Sequence, residues 1–84
     1  MIIHDEKNHV FTWNTSAGEA YLEYSRSGTM VTALHTIVPD ALSGQGIAAA
    51  LTKEFYQWVS DNGFTLQSEC SYVSAWLKRH KIAL

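Results

Sequence analysis

Two glycines, Gly44 and Gly46, mark the point where the apolar pattern changes from that of a strand to that of a helix. Before Pro39 the apolar residues come in strand-like runs. After Gly46 they recur at the spacing of one helix face, at Ile47, Leu51, Phe55 and Trp58/Val59. The sequence therefore predicts that a strand ends and a helix begins around this pair of glycines.

The junction between this strand and this helix is suited to an anion. Glycines leave backbone N–H groups uncovered, and the first turn of a helix has unpaired N–H donors at the positive end of the helix dipole. A phosphate binds readily at such a position. Gly44 and Gly46 also fit a simpler role, in which they supply positive φ angles for a tight connection. Taken alone, they favour that simpler role, because short glycine motifs often occur by chance.

The remaining pattern predicts a single domain over residues 1–84, with four strands and two helices. The predicted strands are residues 10–13, 19–26, 29–38 and 64–68, and the predicted helices are residues 47–61 and 71–80. Residues 1–8 are predicted to be a loosely held lead-in. The order β-β-β-α-β-α indicates an α/β fold with a mixed sheet. Because both faces of residues 29–38 are largely apolar, we expect a central strand covered on both sides.

The strand at 29–38, the first helix and the strand at 64–68 form a β-α-β unit, so these two strands are predicted to be parallel. Their carboxyl ends then share one edge of the sheet, where α/β proteins bind their ligands. The glycine junction and Cys70, the only cysteine, arrive at this edge from different parts of the chain. This convergence is the strongest indication of function in the residue pattern.

Cys70, His35 and Glu69 are the reactive side chains expected near this edge. Cys70 precedes the first turn of the second helix, where the helix dipole favours a nucleophilic thiolate. A small buried hydrophobe at a strand end is the commoner role of a free cysteine. For His35, a structural role through a hydrogen bond is simpler than a catalytic role. Glu69 is predicted to point into solvent.

The composition argues against several classes of partner. The chain has 6 Lys and Arg against 8 Asp and Glu, and apart from residues 78–81 it lacks the basic cluster of a nucleic-acid binder. No apolar run is long enough to cross a bilayer and no secretory leader is recognised, so no membrane partner and a cytoplasmic location are expected. One cysteine fits a reducing compartment, and the 4 histidines have no metal-ligand spacing, so no metal site is predicted.

The segment Ser43-Gly44-Gln45-Gly46-Ile47-Ala48 resembles the Q/R-x-x-G-x-G/A acetyl-CoA signature of the Gcn5-related N-acetyltransferases. The chain is similar above all to the small, minimal members of that superfamily, from about Tyr21 to His80. The further motifs are His35-Thr36 before Val38-Pro39, Cys70-Ser71-Tyr72-Val73, and Trp76-Leu77-Lys78-Arg79-His80. The resemblance implies a mixed sheet whose strands before and after the glycine junction splay apart to admit the pantetheine arm of acetyl-CoA or coenzyme A.

The resemblance also implies roles for individual residues in binding acetyl-CoA. The N–H groups that would hold the pyrophosphate are those of Gln45, Gly46, Ile47 and Ala48, and those that would bind the arm or polarise the thioester carbonyl lie near Ile37 and Val38. Ser43 replaces the Gln or Arg that the family usually has, which removes one long side chain from the phosphates. Trp76 stands where the family often has a tyrosine that protonates the leaving thiolate, and Tyr72 is the candidate to replace it.

Transfer of an acetyl group from acetyl-CoA to an amine is the function that these observations favour. The amine attacks the thioester directly, or Cys70 takes the acetyl group first, and the lack of a well-placed base favours a role for Cys70. A second hypothesis is a non-catalytic module that binds acyl-CoA. A third is dinucleotide binding, because residues 44–49 fit G-x-G-x-x-A, although the strands that precede the β-α-β unit argue against it. The acceptor amine, on a small molecule or a protein, stays unidentified, and a monomer or weak homodimer is expected.

Overall fold

The first four strands are antiparallel neighbours in one sheet, and the fifth lies parallel to the fourth. These elements are seen in a computed structural model that describes residues 1–82. Their bounds are β1 Ile2–Asp5, β2 Val10–Thr15, β3 Gly18–Ser27, β4 Met30–Ile37, α1 Ile47–Asp61, β5 Thr65–Ser68 and α2 Ser71–Arg79. The predicted α/β fold with a mixed sheet is confirmed, as is the parallel pairing of β4 with β5 across α1.

β1 is the element that the residue pattern does not predict. Residues 1–8 are not merely a loosely held lead-in, because Ile2–Asp5 pairs with β2 along its whole length. The pattern does not predict this strand because His4 counts as a polar residue in it. Its ring is stacked on Phe11 with the centroids 3.9 Å apart, and its Nε2 lies 2.6 Å from the Tyr24 hydroxyl. These contacts give β1 an inward side that the pattern conceals.

Both helices pack on the same face of the sheet. α1 contacts β2, β3 and β4, α2 contacts β4 and β5, and the two helices contact each other, which is impossible across a sheet. We call the other side of the sheet, which neither helix covers, the open face. The side chains that fill the single layer between sheet and helices include Phe11, Leu22, Tyr24, Val31, Leu51, Phe55, Val59, Val73 and Leu77.

A β-bulge at Leu34 decides which side chains of β4 face the helices. Glu23 of β3 pairs with His35, whereas the next residue of β3, Tyr24, pairs with Ala33. Leu34 is therefore an extra residue in β4 without a partner in β3. Such a bulge reverses the alternation of side chains in the residues that follow it.

The side chains after the bulge point to both sides of the sheet. Thr36 faces the helices, because it pairs with Leu22, which is fully buried there. His35 and Ile37 project from the open face, and Ile37 is 46% exposed. The expectation that both sides of residues 29–38 are covered is therefore wrong, since the two helices share one face.

Acid should weaken the folded state through His4. Burial lowers the pKa of His4 below 6.5, against the opposing charges of Glu6 and Asp5, and burial also raises the pKa of Tyr24 to about 12. The unfolded chain thus takes up the His4 proton at a higher pH than the folded chain does. The stabilisation is complete above pH 6.5 and is lost as the pH falls below it. We expect the free energy of unfolding, measured by urea titration, to decline as the pH is lowered below about 6.5.

The double variant His4→Phe with Tyr24→Phe is the control for this pH dependence. It keeps aromatic rings in the stack on Phe11 and removes both partners of the hydrogen bond, so that no buried polar atom is left unpaired. Its free energy of unfolding should depend less on pH over the same interval. An equal decline in the double variant would show that groups other than His4 cause the effect.

Candidate functional site

β4 and β5 part at their carboxyl ends. Their ladder ends at Ala33 and Ser68, and the N–H of Glu69 donates to the Ala33 carbonyl at 2.8 Å. Beyond this point β4 continues to Ile37 beside β3 alone, while the chain after Ser68 turns into α2. The pairing of β4 with β5 therefore ends four residues before the end of β4, at the edge where the family resemblance implies an opening.

The connection from β4 to α1 is a turn of 3-10 helix, Asp40–Leu42, followed by the two glycines. The Ser43 hydroxyl donates to the Asp40 carbonyl at 2.9 Å, which commits it to the loop. Gly44 has a φ of 78° and Gly46 a φ of 74°, in the left-handed region that other residues rarely adopt. Gly44 and Gly46 thus supply positive φ angles. A further role in binding an anion depends on whether the backbone N–H groups around them are uncovered.

The start of α1 presents its N–H groups to open space. Gly46 is the N-cap residue, no side chain caps the helix, and the first turn carries no acidic residue. The N–H of Ala50 donates to the Gly46 carbonyl at 3.0 Å, so the N–H groups of the first turn before Ala50 have no partner within the helix. Apart from chain neighbours, no atom lies within 4 Å of a Cβ built on Gly44 or Gly46. An anion has both donors and space at this point.

A cleft of about 270 Å³ lies against this start of α1. Its lining consists of Val38, Leu42, Ser43, Gly44, Gly46, Ile47, Ala48, Ala49 and Tyr72. The predicted cofactor-binding residues are the signature segment, residues 43–48, together with Ile37 and Val38. Six of these eight residues line the cleft, and Ile37 and Gln45 are outside the lining. Apolar walls beside an uncapped helix start suit a pantetheine arm and a diphosphate, so the residues present fit coenzyme A.

A second cavity, of about 350 Å³, lies at the other end of α1. Its lining includes Tyr56, Val59, Gly63 and Phe64. The C-terminal end of a helix carries the negative end of the dipole, which disfavours a phosphate. The smaller cleft is therefore the candidate site, although its volume is lower.

Cys70 lies beside the end of β4, on the side of the sheet that the helices cover. Its Sγ is 3.6 Å from Thr36 Oγ1, and the residue is 6% exposed. It immediately precedes α2, as the sequence predicts. Tyr72, two residues further on, lines the cleft, whereas Cys70 does not. Cys70 is thus two residues from Tyr72 in the chain, but it lies outside the lining of the cleft.

Two serines hold the backbone of Cys70 in place. The Ser68 hydroxyl donates to the Cys70 carbonyl at 3.0 Å and accepts from the Cys70 N–H at 3.3 Å. The Ser74 hydroxyl donates to the Ser68 hydroxyl at 2.8 Å, and the Ser74 N–H donates to the Cys70 carbonyl at 2.9 Å. These bonds join the end of β5 to the first turn of α2 and keep the thiol next to Thr36.

His35 lies on the opposite side of β4 from Cys70. Its Nε2 is 2.8 Å from Glu23 Oε1, and its ring meets that of Tyr21 edge-on, with the centroids 6.0 Å apart. The side chains of His35 and Glu23 are 50% and 42% exposed. The structure therefore separates the three catalytic candidates: Tyr72 lines the cleft, Cys70 lies outside its lining on the side of the sheet that the helices cover, and His35 lies across the sheet.

The sequence pattern does not predict the side chains that contact two of these candidates. Thr36 is the side chain beside Cys70, and Glu23 is the partner of His35. Strict alternation from Ala33 would place His35 under the helices and Thr36 on the open face. The bulge in β4 exchanges the sides on which His35 and Thr36 lie. Because the bulge is defined by the pairing of β4 with β3, the residues of β4 alone do not predict it.

Two further structural findings concern metals and membranes. Within residues 1–82, no group of three or more His, Cys, Asp and Glu side chains is placed to hold a metal ion. In the same part of the chain, no helix combines the length and the apolar character needed to cross a bilayer.

Comparison with known proteins identifies the family. The family described as GCN5-related N-acetyl-transferase matches residues 10–83. Protein NATD1 of Gallus gallus is 33% identical over 85 aligned positions, which cover 98% of this chain and 77% of the relative. Protein NATD1 of Homo sapiens is 32% identical over 82 positions, which cover 94% of this chain and 73% of the relative. The chain belongs to the GCN5-related N-acetyltransferase family.

Proposed function

We propose that this protein transfers an acetyl group from acetyl-CoA to an amine. The observation that carries the proposal is the uncapped start of α1, where Gly44 and Gly46 leave N–H groups open beside an apolar cleft. A diphosphate is the part of coenzyme A that a helix start binds best. Membership of the N-acetyltransferase family supports the same reaction.

In this proposal the chain binds acetyl-CoA mainly through its backbone. The N–H groups of Ile47 and Ala48 hold the diphosphate, and the apolar walls at Val38 and Leu42 hold the pantetheine arm. The lining of the cleft contains no lysine or arginine, and the Ser43 hydroxyl is already bonded within its loop. The affinity for acetyl-CoA therefore depends on the conformation of the segment that contains Gly44 and Gly46, which we call the glycine loop, more than on any single side chain.

Acetyl-CoA supplies a thioester, whose acetyl carbon accepts an unprotonated amine. The amine nitrogen forms a bond to this carbon and gives up one proton to water, the carbon–sulfur bond breaks, and the sulfur leaves with its electron pair and takes up a proton. N–H groups near Ile37 and Val38 stabilise the negative charge that develops on the carbonyl oxygen. Tyr72 lines the cleft and is the proposed donor of the proton to the sulfur.

Cys70 offers a second route for the same transfer. The acetyl group passes first to its Sγ, the thiol of coenzyme A leaves, and the amine then attacks the acetyl-cysteine. The position of Sγ beside the end of β4, 3.6 Å from the Thr36 hydroxyl, supports this route. The direct route does not need the thiol, so a variant of Cys70 separates the two.

A non-catalytic module that binds acyl-CoA is the second candidate function. Two observations favour it: Cys70 is only 6% exposed, and His35 lies on the side of β4 away from the thiol. Such a module keeps the glycine loop and binds acetyl-CoA without transferring the acetyl group.

An NMR titration of the 84-residue chain with acetyl-CoA tests the proposal. We expect saturable shifts of the amide signals of residues 45–49, and release of free coenzyme A thiol when a panel of amines is added. Binding without thiol release would favour the non-catalytic module. Unchanged signals at these amides would contradict both functions. NAD, which also carries a diphosphate, is the control ligand, and binding equal to that of acetyl-CoA would indicate a dinucleotide site.

A further inference from the structure

The sheet has two edge strands, β1 and β5, and β1 is the more apolar of the two. Among the described residues, the exposed large hydrophobic side chains are Met1 at 89%, Ile3 at 52% and Ile37 at 46%. Ile3 lies in β1, and Met1 directly precedes this strand. The exposed side chains of β5 are those of Thr65 and Gln67, which are polar. β1 is therefore the edge whose side chains gain more from burial against a partner.

The hydrogen bonds of β2 show which residues of β1 are paired. The N–H of Tyr24 donates to the His9 carbonyl at 3.0 Å, and the register of β2 with β3 continues from this bond without a shift. The bonding direction alternates along an antiparallel strand, so the odd-numbered residues of β2 bond to β3. Its even-numbered residues, among them Thr12, therefore bond to β1.

The backbone of β1 is left with unpaired groups on its outer side. Ile3 lies opposite Thr12, so the N–H and C=O of Ile3 are bonded to β2. The N–H and C=O of its neighbours, Ile2 and His4, point away from the sheet. No turn or loop of residues 1–82 bonds to these outward groups.

A further strand has access to this edge. α1 packs on β2, β3 and β4, and α2 packs on β4 and β5, so β1 lies at the margin of the helix layer. The register of β1 with β2 has no shift, and residues 2–5 contain no lysine and no proline. Lysines, prolines and bulges are the features with which proteins commonly prevent an edge strand from pairing. The outer side of β1 is therefore suited to the addition of a strand.

A second copy of β1 fits this edge in one antiparallel register. When Ile3 of one copy lies opposite Ile3 of the other, each Ile2 lies opposite a His4. The outward groups of these two residues then bond to each other on both sides of a two-fold axis. Ile3 occupies the position without hydrogen bonds, where Cα atoms about 4.5 Å apart bring the two side chains into contact. Asp5 lies opposite Met1, so the carboxylates of the two copies are at opposite ends of the paired strands.

We propose that two copies of this chain associate through β1 and form one continuous sheet with five strands from each copy. The register favours a second copy as the occupant, because the same few residues supply matching hydrogen bonds and matching apolar side chains to both halves. A strand of 4 residues buries less area than a standard interface, so the dimer has a Kd on the order of 10 µM. The cleft lies beyond β2 and β3 from this edge and stays open in both copies.

Sedimentation equilibrium of the full chain, from about 1 µM to about 300 µM, measures the association. We expect the mass to rise toward that of two chains. Ile3→Lys places two ammonium groups opposite each other and should raise the dimer Kd at least about tenfold. Ile37→Lys is the matched control, because it makes the same change at a similarly exposed isoleucine of the open face. Its Kd should stay within about twofold of the parent.

Two results of this experiment would overturn the proposal. A chain that stays monomeric at the highest concentration does not pair through β1. Equal weakening by Ile3→Lys and Ile37→Lys would place the contact on the open face rather than at the edge.

A mixture of two charge variants tests the two-fold axis. Because residue 3 of one copy meets residue 3 of the other, Ile3→Lys and Ile3→Glu should each be largely monomeric alone. Mixed in equal amounts, they should form a dimer with a Kd near that of the parent, since opposite charges then face each other. A mixture as weakly associated as the separate variants would refute this register.

Amide hydrogen exchange tests the pairing without any substitution. At high concentration the amides of Ile2 and His4 should exchange at least about tenfold more slowly than at low concentration. The amides of Ile3 and Asp5 are bonded to β2 and should exchange equally at both concentrations. Slower exchange confined to β5 would place the contact at the other edge of the sheet and refute the proposal.

Discussion

Replacing Gly46 with alanine should weaken acetyl-CoA binding by at least about tenfold. Gly46 caps α1 with a φ of 74°, where an L-residue costs about 1–2 kcal/mol. The backbone then relaxes away from this conformation, and the first-turn N–H groups lose their common direction. Loss of one hydrogen bond to a charged group costs about 1.5–3 kcal/mol, which is about 10-fold to 100-fold in affinity. Isothermal titration calorimetry with acetyl-CoA measures the change.

Gly28→Ala is the matched control for this variant. Gly28 has a φ of 61° and, like Gly46, no atom within 4 Å of a Cβ built on it. It lies in the turn between β3 and β4 and does not line the cleft. We expect the two variants to lose similar amounts of stability, and only Gly46→Ala to lose affinity. Equal losses of affinity would show that Gly46 acts through folding alone.

The elements that position the cleft follow from local pattern and chain connection. The apolar spacing from Ile47 to Val59 predicts α1, and the two glycines before it predict its start. The length of the crossover predicts that β5 runs parallel to β4. Each of these inferences depends on a short stretch of sequence, so none of them needs knowledge of distant partners.

The register of the sheet is what the pattern cannot supply. The bulge at Leu34 exists only in relation to β3, and the inward direction of His4 depends on Phe11 and Tyr24. Both features result from contacts between residues far apart in the chain. The sequence pattern therefore predicts correctly that α1 begins after Gly46. It does not predict β1, and it predicts wrongly that both sides of β4 are covered.

The bulge also separates two reactive groups that are close in sequence. Because of it, His35 reaches the open face and Thr36 reaches the thiol of Cys70, although the two are consecutive residues. The two side chains therefore face opposite sides of the sheet.

By the acetyl-cysteine route, replacing Cys70 with alanine should lower the rate of acetyl transfer by about 100-fold or more and leave acetyl-CoA binding within about twofold of the parent. The change removes Sγ beside the Thr36 hydroxyl, and with it the only thiol that can carry the acetyl group. The glycine loop and the start of α1 are untouched, so the affinity should hold. Steady-state kinetics measures the rate, and intact-protein mass spectrometry after mixing with acetyl-CoA detects an acetyl group on the parent protein alone.

Val73→Ala is the control for the loss of packing at Cys70. Val73 is fully buried on α2, so its truncation destabilises the same helix while the thiol stays in place. Its rate of acetyl transfer per folded molecule should stay near that of the parent. An equal fall in the rate of both variants would show that Cys70→Ala acts by destabilising α2. Normal turnover by Cys70→Ala would instead exclude the acetyl-cysteine. The amine would then attack the thioester directly, and Cys70 would be a small buried residue that packs against β4.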